Sequence, residues 1–354
     1  MDVRLSPEQG ALRDSAAQVV DRLGPHAVGE LDDAERASKL DAAVAASGWR
    51  ELRSASEGSQ PWASTVEVAL VAEELGRGLA DAAFLGPTLA ADLRRLAAAP
   101  AASGVETVAL TPSLSAPARA VDGVVPPGAI AVDSRGASSA LVLLPEQGGD
   151  AIGEVTLNGQ ALGGVDLTRP SAGCRATGEA GESEKVARID GQSRPLTPVD
   201  LARWHSLGLA AACADLVGVM HGALTLATDY ARSRRQYGAA IGSFQAVQHL
   251  LADALVAMEG ARSIALHAAW AVDALEAPDA LAAASAAKAY CARAARSVCE
   301  TAIQVHGGIG NTWECLAHVY LRRALLSGDV LGGVGANLAR VLAAHNIGSD
   351  DGLR

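Results

Sequence analysis

The sequence predicts a mainly helical α+β protein: an N-terminal helical domain, a small middle β-domain and a C-terminal bundle of long helices. Three observations predict it. Of 354 residues 49% are apolar, yet 76 are Ala and only 11 are aromatic. Such a core is built from small side chains and close backbone approach. Ala has the highest helix propensity and lets helices pack closely, whereas a β-sandwich or barrel wants aromatic and β-branched residues. Pro, Gly and short β-type runs become frequent only between residues 101 and 197. After residue 198 three stretches read as helices longer than the globular average, as in an antiparallel bundle. The expected domains are therefore 1–100, 101–197 and 198–354. Charged residues make up 19% and mean hydropathy is +0.18, which excludes disorder for most of the chain.

In the first domain, Ser6-Pro7-Glu8 supplies an N-cap, a Pro at the first helical position and an acid in the first turn. Leu12, Val19, Val20 and Leu23 follow on one face. A short helix is expected over Lys39–Ala46, ending before Gly48. Ser64 and Glu67 have capping-box spacing, so a helix should start there and run through Leu75. A loop around Gly86-Pro87 should precede a helix over Leu89–Leu96. In the second domain, Thr107–Leu110, Ala140–Leu144 and Glu154–Gly159 read as strands bounded by turn residues. The Gly- and Glu-rich run Ala172–Glu184 reads as a mobile loop. In the third, long helices are expected over Asp200–Ser233, Phe244–Leu275 and Asp279–Val305. Gly307-Gly308 closes the last of these, and shorter helices follow over Trp313–Leu325 and Asp329–His345.

The net charge of −11 offers no basic footprint for nucleic acid or an anionic membrane. Only Lys39, Lys185 and Lys288 are lysines, so 26 of the 29 bases are Arg, a skew that reads as genome composition. Five cysteines without CxxC spacing read as buried small hydrophobes in a reducing compartment, with no metal site implied. The N-terminus carries no signal-peptide h-region, and no uncharged apolar run reaches membrane-spanning length, so a soluble cytoplasmic protein is expected.

Two segments carry chemistry. Arg234-Arg235-Gln236-Tyr237-Gly238 and Ile241–His249 put a guanidinium, amides and an aromatic at a helix–helix corner. Arg binds phosphate bidentately, and a following helix start adds unpaired N–H groups. The corner reads either as a capped helical hairpin with surface arginines or as a phosphate site. In Gln304–Thr312, three glycines within four residues close a long helix. One would suffice for a C-cap. The extra two imply close backbone approach, to another helix or to a ligand.

Together these segments resemble the acyl-CoA dehydrogenase family. The RxQ(F/Y)G…FQ corner, the QxxGGxG helix end and Tyr320-Leu321-Arg322-Arg323-Ala324 stand in family order. Gly48-Trp49 and Asp166-Leu167-Thr168-Arg169-Pro170 are similar as well. The nearest likeness is to the short actinobacterial type that degrades sterol side chains or other CoA esters, often as paired unlike subunits. The resemblance implies FAD held across a subunit interface, with Arg234, Gln236, Tyr237, Gln245, Gln304, Gly307 and Gly308 on its adenosine–pyrophosphate side. It also implies an acyl-CoA substrate, a second dehydrogenase subunit and electron-transfer flavoprotein as acceptor.

The catalytic base of that family is a Glu that takes the α-proton of the thioester while hydride leaves the β-carbon. Its usual position falls on Leu331, and a second known position on Arg235, so neither holds a carboxylate. The family's TEP…GSD run has no clear match; Leu110–Ser115 stands there, and the β-region has no Trp. Among other acids, Glu314 reads as structural, Asp329 as a cap on the last helix, and Asp253 and Glu259 as solvated or paired. His306 reads as a helix-end histidine. The parts that reach a neighbour's FAD are present, and those serving the chain's own flavin ring and substrate are eroded. The expected role is a half-site or non-catalytic subunit of a heteromeric acyl-CoA dehydrogenase. The alternatives are a self-sufficient enzyme with an unusual base and a flavin-free scaffold.

Overall fold

The computed structural model describes residues 4–56, 60–157, 161–174, 186–192 and 194–347. Helix α1 (Pro7–Leu23) starts as its cap predicts: Gln9 N–H donates to Ser6 Oγ at 3.2 Å, and Ser6 N–H donates to the Gln9 side chain at 3.0 Å. Helix α2 (Ala34–Ala46) begins five residues before the expected Lys39, because Asp33 accepts from Arg36 N–H at 3.0 Å and caps it there. Helix α3 (Thr65–Arg77) starts after Ser64 as expected. The reciprocal backbone capping box does not form: Ser64 Oγ accepts from Val66 N–H and donates to one Glu67 carboxylate oxygen, while the other accepts from Gln9 Nε2 at 2.7 Å. Helix α4 (Leu85–Leu96) takes in Gly86-Pro87, which corrects the expected loop. Pro is tolerated in a first turn. The cap comes from far along the chain: Asp133 Oδ2 accepts from Phe84 N–H at 2.8 Å and Gly86 N–H at 3.3 Å.

The middle strands are β1 (Glu106–Leu110), β2 (Ile130–Ala131), β3 (Ser139–Glu146), β4 (Gly149–Thr156), β5 (Ala161–Leu162), β6 (Ser171–Gly173) and β7 (Ala187–Arg188). They form one sheet in the order β5-β6-β2-β1-β3-β4-β7, parallel only between β1 and β3. Ala172 and Gly173 pair with Ala131 and Ile130, which corrects the start of the expected mobile loop. Residues 175–184 of that loop lie outside the described residues, as do 158–159 at the end of the third expected strand.

Helices α5 (Pro198–Ser233), α6 (Gln245–Ala274) and α7 (Ala277–His306) match the expected long helices to within two residues at each end. Helix α8 (Ala317–Asp329) starts four residues later than expected and ends four residues later. Asp329 therefore closes α8 and does not cap α9 (Val334–Ala344), which Gly333 precedes without a side-chain cap. Helix α5 is long and apolar enough to cross a membrane, but 94% of its most apolar window is buried inside the protein. It is the core helix against which α3, α4, α6, α7 and α8 pack.

Small residues set that packing. A Cβ on Gly218 of α5 would stand 1.9 Å from Glu73 O of α3, and one on Gly76 would stand 2.4 Å from Asp215 O. With the two backbones this close, Asp215 sits on the inward face of α5 at 5% exposure. Arg323 of α8 donates to Asp215 Oδ1 through Nη2 at 2.6 Å and Nε at 3.0 Å. Arg169 reaches Oδ2 at 3.3 Å, and Ser327 Oγ donates to it at 2.6 Å. Arg169 also donates to Asp166 at 2.9 Å, and Arg323 to Ala80 O at 2.8 Å. One buried carboxylate thus ties the α3–α4 turn, the end of the sheet region, α5 and α8. Burial alone would raise the Asp215 pKa, but the two guanidiniums outweigh it and hold the carboxyl below its ordinary value.

Removing one partner of such a pair leaves a buried charge unanswered. Asp215→Ala is expected to lower stability by about 3–5 kcal/mol, read as a shift of the urea unfolding midpoint. Because the Asp215 carboxyl titrates lower in the fold than in the unfolded chain, its contribution is complete above the ordinary carboxylate range. It is lost as pH falls through the depressed value, so the gap between wild type and Asp215→Ala should narrow in acid.

Candidate functional site

Helix α5 ends at Ser233 and the chain forms a two-residue hairpin between β8 (Arg235–Gln236) and β9 (Ala239–Ala240). Tyr237 and Gly238 at its tip have φ of +51° and +78°. Positive φ at both central residues is the type I′ geometry that suits the twist of a hairpin. It is costly for Tyr, and its effect is to hold the phenol ring 95% exposed. Phe244 meets that ring edge-on at 6.3 Å. Arg234, Arg235, Gln236 and Gln245 are exposed, and their side chains make no hydrogen bond or ion pair among the described residues. Helix α6 opens at Gln245 with no side-chain cap and no acid in its first turn. Its first N–H groups are therefore not answered by a side chain, which favours an anion there.

The glycine-rich segment lies at the same end of the bundle. Helix α7 runs alongside α5, and Tyr230 stacks on His306 at 4.5 Å with 24° between the rings. The helix closes at Gly307, φ +67°, and passes into a 3-10 turn, Gly307–Asn311. Gln304, Gly307 and Gly308 are exposed there, and a Cβ on either glycine would meet nothing within 4 Å. A tight helix crossing is thus ruled out for these two glycines, and the open face remains. His306 itself is buried, its Nδ1 2.7 Å from Ala302 O, as expected of a helix-end histidine. Burial would lower its pKa, but the Cys315 thiol and the Ala302 carbonyl raise it.

Leu331 and the Leu110–Ser115 run, singled out in the sequence, are both engaged within the fold. Leu331 is fully buried at φ +60°, and its Cδ1 stands where a Cβ on Gly208 of α5 would be only 2.1 Å away. Its N–H donates to Leu114 O at 2.7 Å, and its carbonyl lies 3.2 Å from both His205 Nε2 and Arg340 Nη1. Since a carbonyl only accepts, His205 carries its proton on Nε2. Burial and then Arg340 push the His205 pKa down to about 4, so the ring is neutral near pH 7. Thr111, Ser113 and Ser115 hydrogen-bond one another, with Ser113 and Ser115 2.8 Å apart.

Lys288 secures this arrangement from beneath. It is fully buried and donates to Gly328 O, Val330 O and Gly332 O at 2.8, 2.7 and 3.2 Å. Burial lowers its pKa to about 8. The sequence marked Lys288 only as one of three lysines; its interior position on an Ala-rich helix was the available signal. Of the other acids weighed, Glu314 and Asp253 are exposed, and Glu259 pairs with Arg262.

The acyl-CoA dehydrogenase C-terminal domain model matches residues 207–345. Acyl-CoA dehydrogenase IpdE2 of Mycobacterium tuberculosis is 31% identical over 268 residues, 75% of this chain and 73% of that protein. The chain belongs to the acyl-CoA dehydrogenase family. Acyl-CoA dehydrogenase FadE34 of the same organism is 40% identical over 165 residues, 46% of this chain, but the match spans only 23% of FadE34. Among solved structures, the Tcur3481–Tcur3483 steroid ACAD G363A variant superposes with a TM-score of 0.78 at 21% identity, over 97% of this chain and 98% of that one. The ChsE4–ChsE5 complex of M. tuberculosis gives 0.74 at 24% identity, over 98% and 99%. These two likenesses establish the fold. The helical, β, helical order read from the sequence is that of the family.

The corner and the base position give separate expectations. Tyr237→Gly removes left-handed strain and should stabilise the isolated chain by up to about 1 kcal/mol, read as a higher unfolding midpoint. Leu331→Ala empties a filled site and should cost about 2–5 kcal/mol by the same measurement.

Proposed function

We propose that this chain is the half-site subunit of a heteromeric acyl-CoA dehydrogenase. Its exposed corner completes the adenosine–pyrophosphate end of a FAD whose ring, base and acyl pocket belong to a partner chain. The observation that carries this reading is an asymmetry. Arg234, Gln236, Tyr237, Gln245 and Gln304 stand exposed at one end of the bundle, while the base position is a buried Leu331 sealed by Leu114, His205 and Arg340. The donor set fits a dinucleotide. The Arg234 guanidinium suits phosphate oxygens, the uncapped start of α6 suits the same charge, and Gln236, Gln245 and Gln304 supply amide donors and acceptors. Tyr237 and Phe244 supply an aromatic edge. The ring end does not fit: no carboxylate stands at Leu331 or Arg235, and the Thr111–Ser115 hydroxyls are spent on one another.

Bound FAD would accept the hydride from the acyl β-carbon. This chain's residues would hold the distal end of the cofactor and keep water from it. Solved relatives named as the ChsE4–ChsE5 complex and as the Tcur3481–Tcur3483 steroid ACAD support a paired, heterotetrameric assembly acting on a sterol-derived CoA ester. Electron-transfer flavoprotein is the acceptor that suits such a flavoenzyme. All five cysteines are free and buried, which suits the reducing cytoplasm.

Co-expression with a dehydrogenase homologue that carries the Glu tests the reading. One FAD per pair of unlike chains is expected, and Arg234→Ala should weaken flavin retention about 10- to 100-fold, the loss of a charge-assisted hydrogen bond worth about 1.5–3 kcal/mol. Tyr237→Gly should weaken retention as well, although the fold gains stability. A yellow, active homo-oligomer of this chain alone would overturn the half-site role. Unchanged flavin content in Arg234→Ala would favour a scaffold.

A further inference from the structure

Asp133 is 5% exposed, and its two carboxylate oxygens are unequal. Oδ2 caps α4 through Phe84 and Gly86, whereas Oδ1 has no hydrogen-bond partner among the described residues. Asp133 lines a small cavity together with Arg169, Asp215 and Arg323, with Phe84 and Leu85 among the apolar walls. All of these residues are buried. The centre of a water-sized sphere has about 10 Å³ in which to move, the space of a single water. A buried acceptor left unanswered is costly, so something donates to Oδ1.

The donor supply is countable. A guanidinium has five N–H groups. Arg169 uses Nε on Asp166, one Nη2 hydrogen on Ser327 and one Nη1 hydrogen towards Asp215, and two remain. Arg323 is engaged with Asp215, Ala80 O and Thr168 Oγ1. Three carboxylates, Asp133, Asp166 and Asp215, face two guanidiniums, so an anion would add to an existing excess of negative charge. The α4 N-terminus already offsets the Asp133 charge, which removes the demand for a cation. A neutral molecule that both donates and accepts is what the site lacks.

We propose that one ordered water occupies this cavity, donating to Asp133 Oδ1 and accepting from the Arg169 guanidinium. It joins the residue that caps α4 to the ionic node on α5 and α8, adding a solvent link beside the direct Arg169–Asp215 pair. The proposal does not depend on the half-site reading.

A high-resolution crystal structure of the full chain tests it. One density peak within hydrogen-bond distance of Asp133 Oδ1 and Arg169 is expected. An empty cavity, a direct Asp133–Arg169 hydrogen bond, or a peak with metal-like oxygen distances would overturn it. In solution, oxygen-17 relaxation dispersion counts long-lived waters. Ala211→Val, which places two methyl groups at the wall of the cavity, should show one fewer than wild type, and Asp133→Asn should show the same number. An unchanged count in a folded Ala211→Val would equally overturn the assignment.

Discussion

Asp215 is the point on which the rest of the structure turns. It sits midway along a 36-residue helix whose other neighbours are almost all apolar, and it is the carboxylate that makes that helix specific. Hydrophobic burial alone would accept many sliding registers between Ala-rich helices, because one methyl group resembles the next. A charge answered by Arg323, Arg169 and Ser327 accepts only one. The small residues and the ionic node act together: Gly76 and Gly218 let α3 and α5 touch backbone to backbone, and the carboxylate fixes where along α5 the contact occurs.

The helical frame was legible because its signals are local. Ser6 and Gly307 begin or end helices through their own neighbours, and the long Ala-rich runs cannot be read as anything else. Two of the misreadings come from a distant partner. Gly86-Pro87 reads as a loop until Asp133, 47 residues away, caps the turn that contains it. Glu67 keeps its bond to the Ser64 hydroxyl, but its second oxygen goes to Gln9 of another helix. Asp329 precedes the last helix in sequence, yet it belongs to the helix before. The first two are tertiary partners overriding a sequence-local rule.

For the candidate site, the residue types were legible and their exposure was not. Sequence order named Arg234, Gln236, Tyr237, Gln245, Gln304, Gly307 and Gly308. That all seven lie on open surface at one end of the bundle needed the antiparallel packing of α5, α6 and α7 and the Tyr230–His306 stack. The left-handed Tyr237 carries no sequence signal of its own, since Gly238 alone would have been the natural turn residue. The sealing of Leu331 is also tertiary. It depends on Leu114 from the sheet region, His205 from α5 and Lys288 from α7, drawn from three separate parts of the chain.

The Gly218–Glu73 contact has a further consequence. It prevents α5 from turning about its axis or sliding past α3, so the helix is a strut clamped near its middle. From Asp215 to Arg234 is 19 residues, which at ~1.5 Å per residue is a lever arm of roughly 28 Å. A tilt of a few degrees at the clamp would displace the hairpin by an ångström or more, about the tolerance of a hydrogen bond. The corner's aim is thereby set deep in the interior, and the interior of this chain becomes part of the surface that another molecule meets.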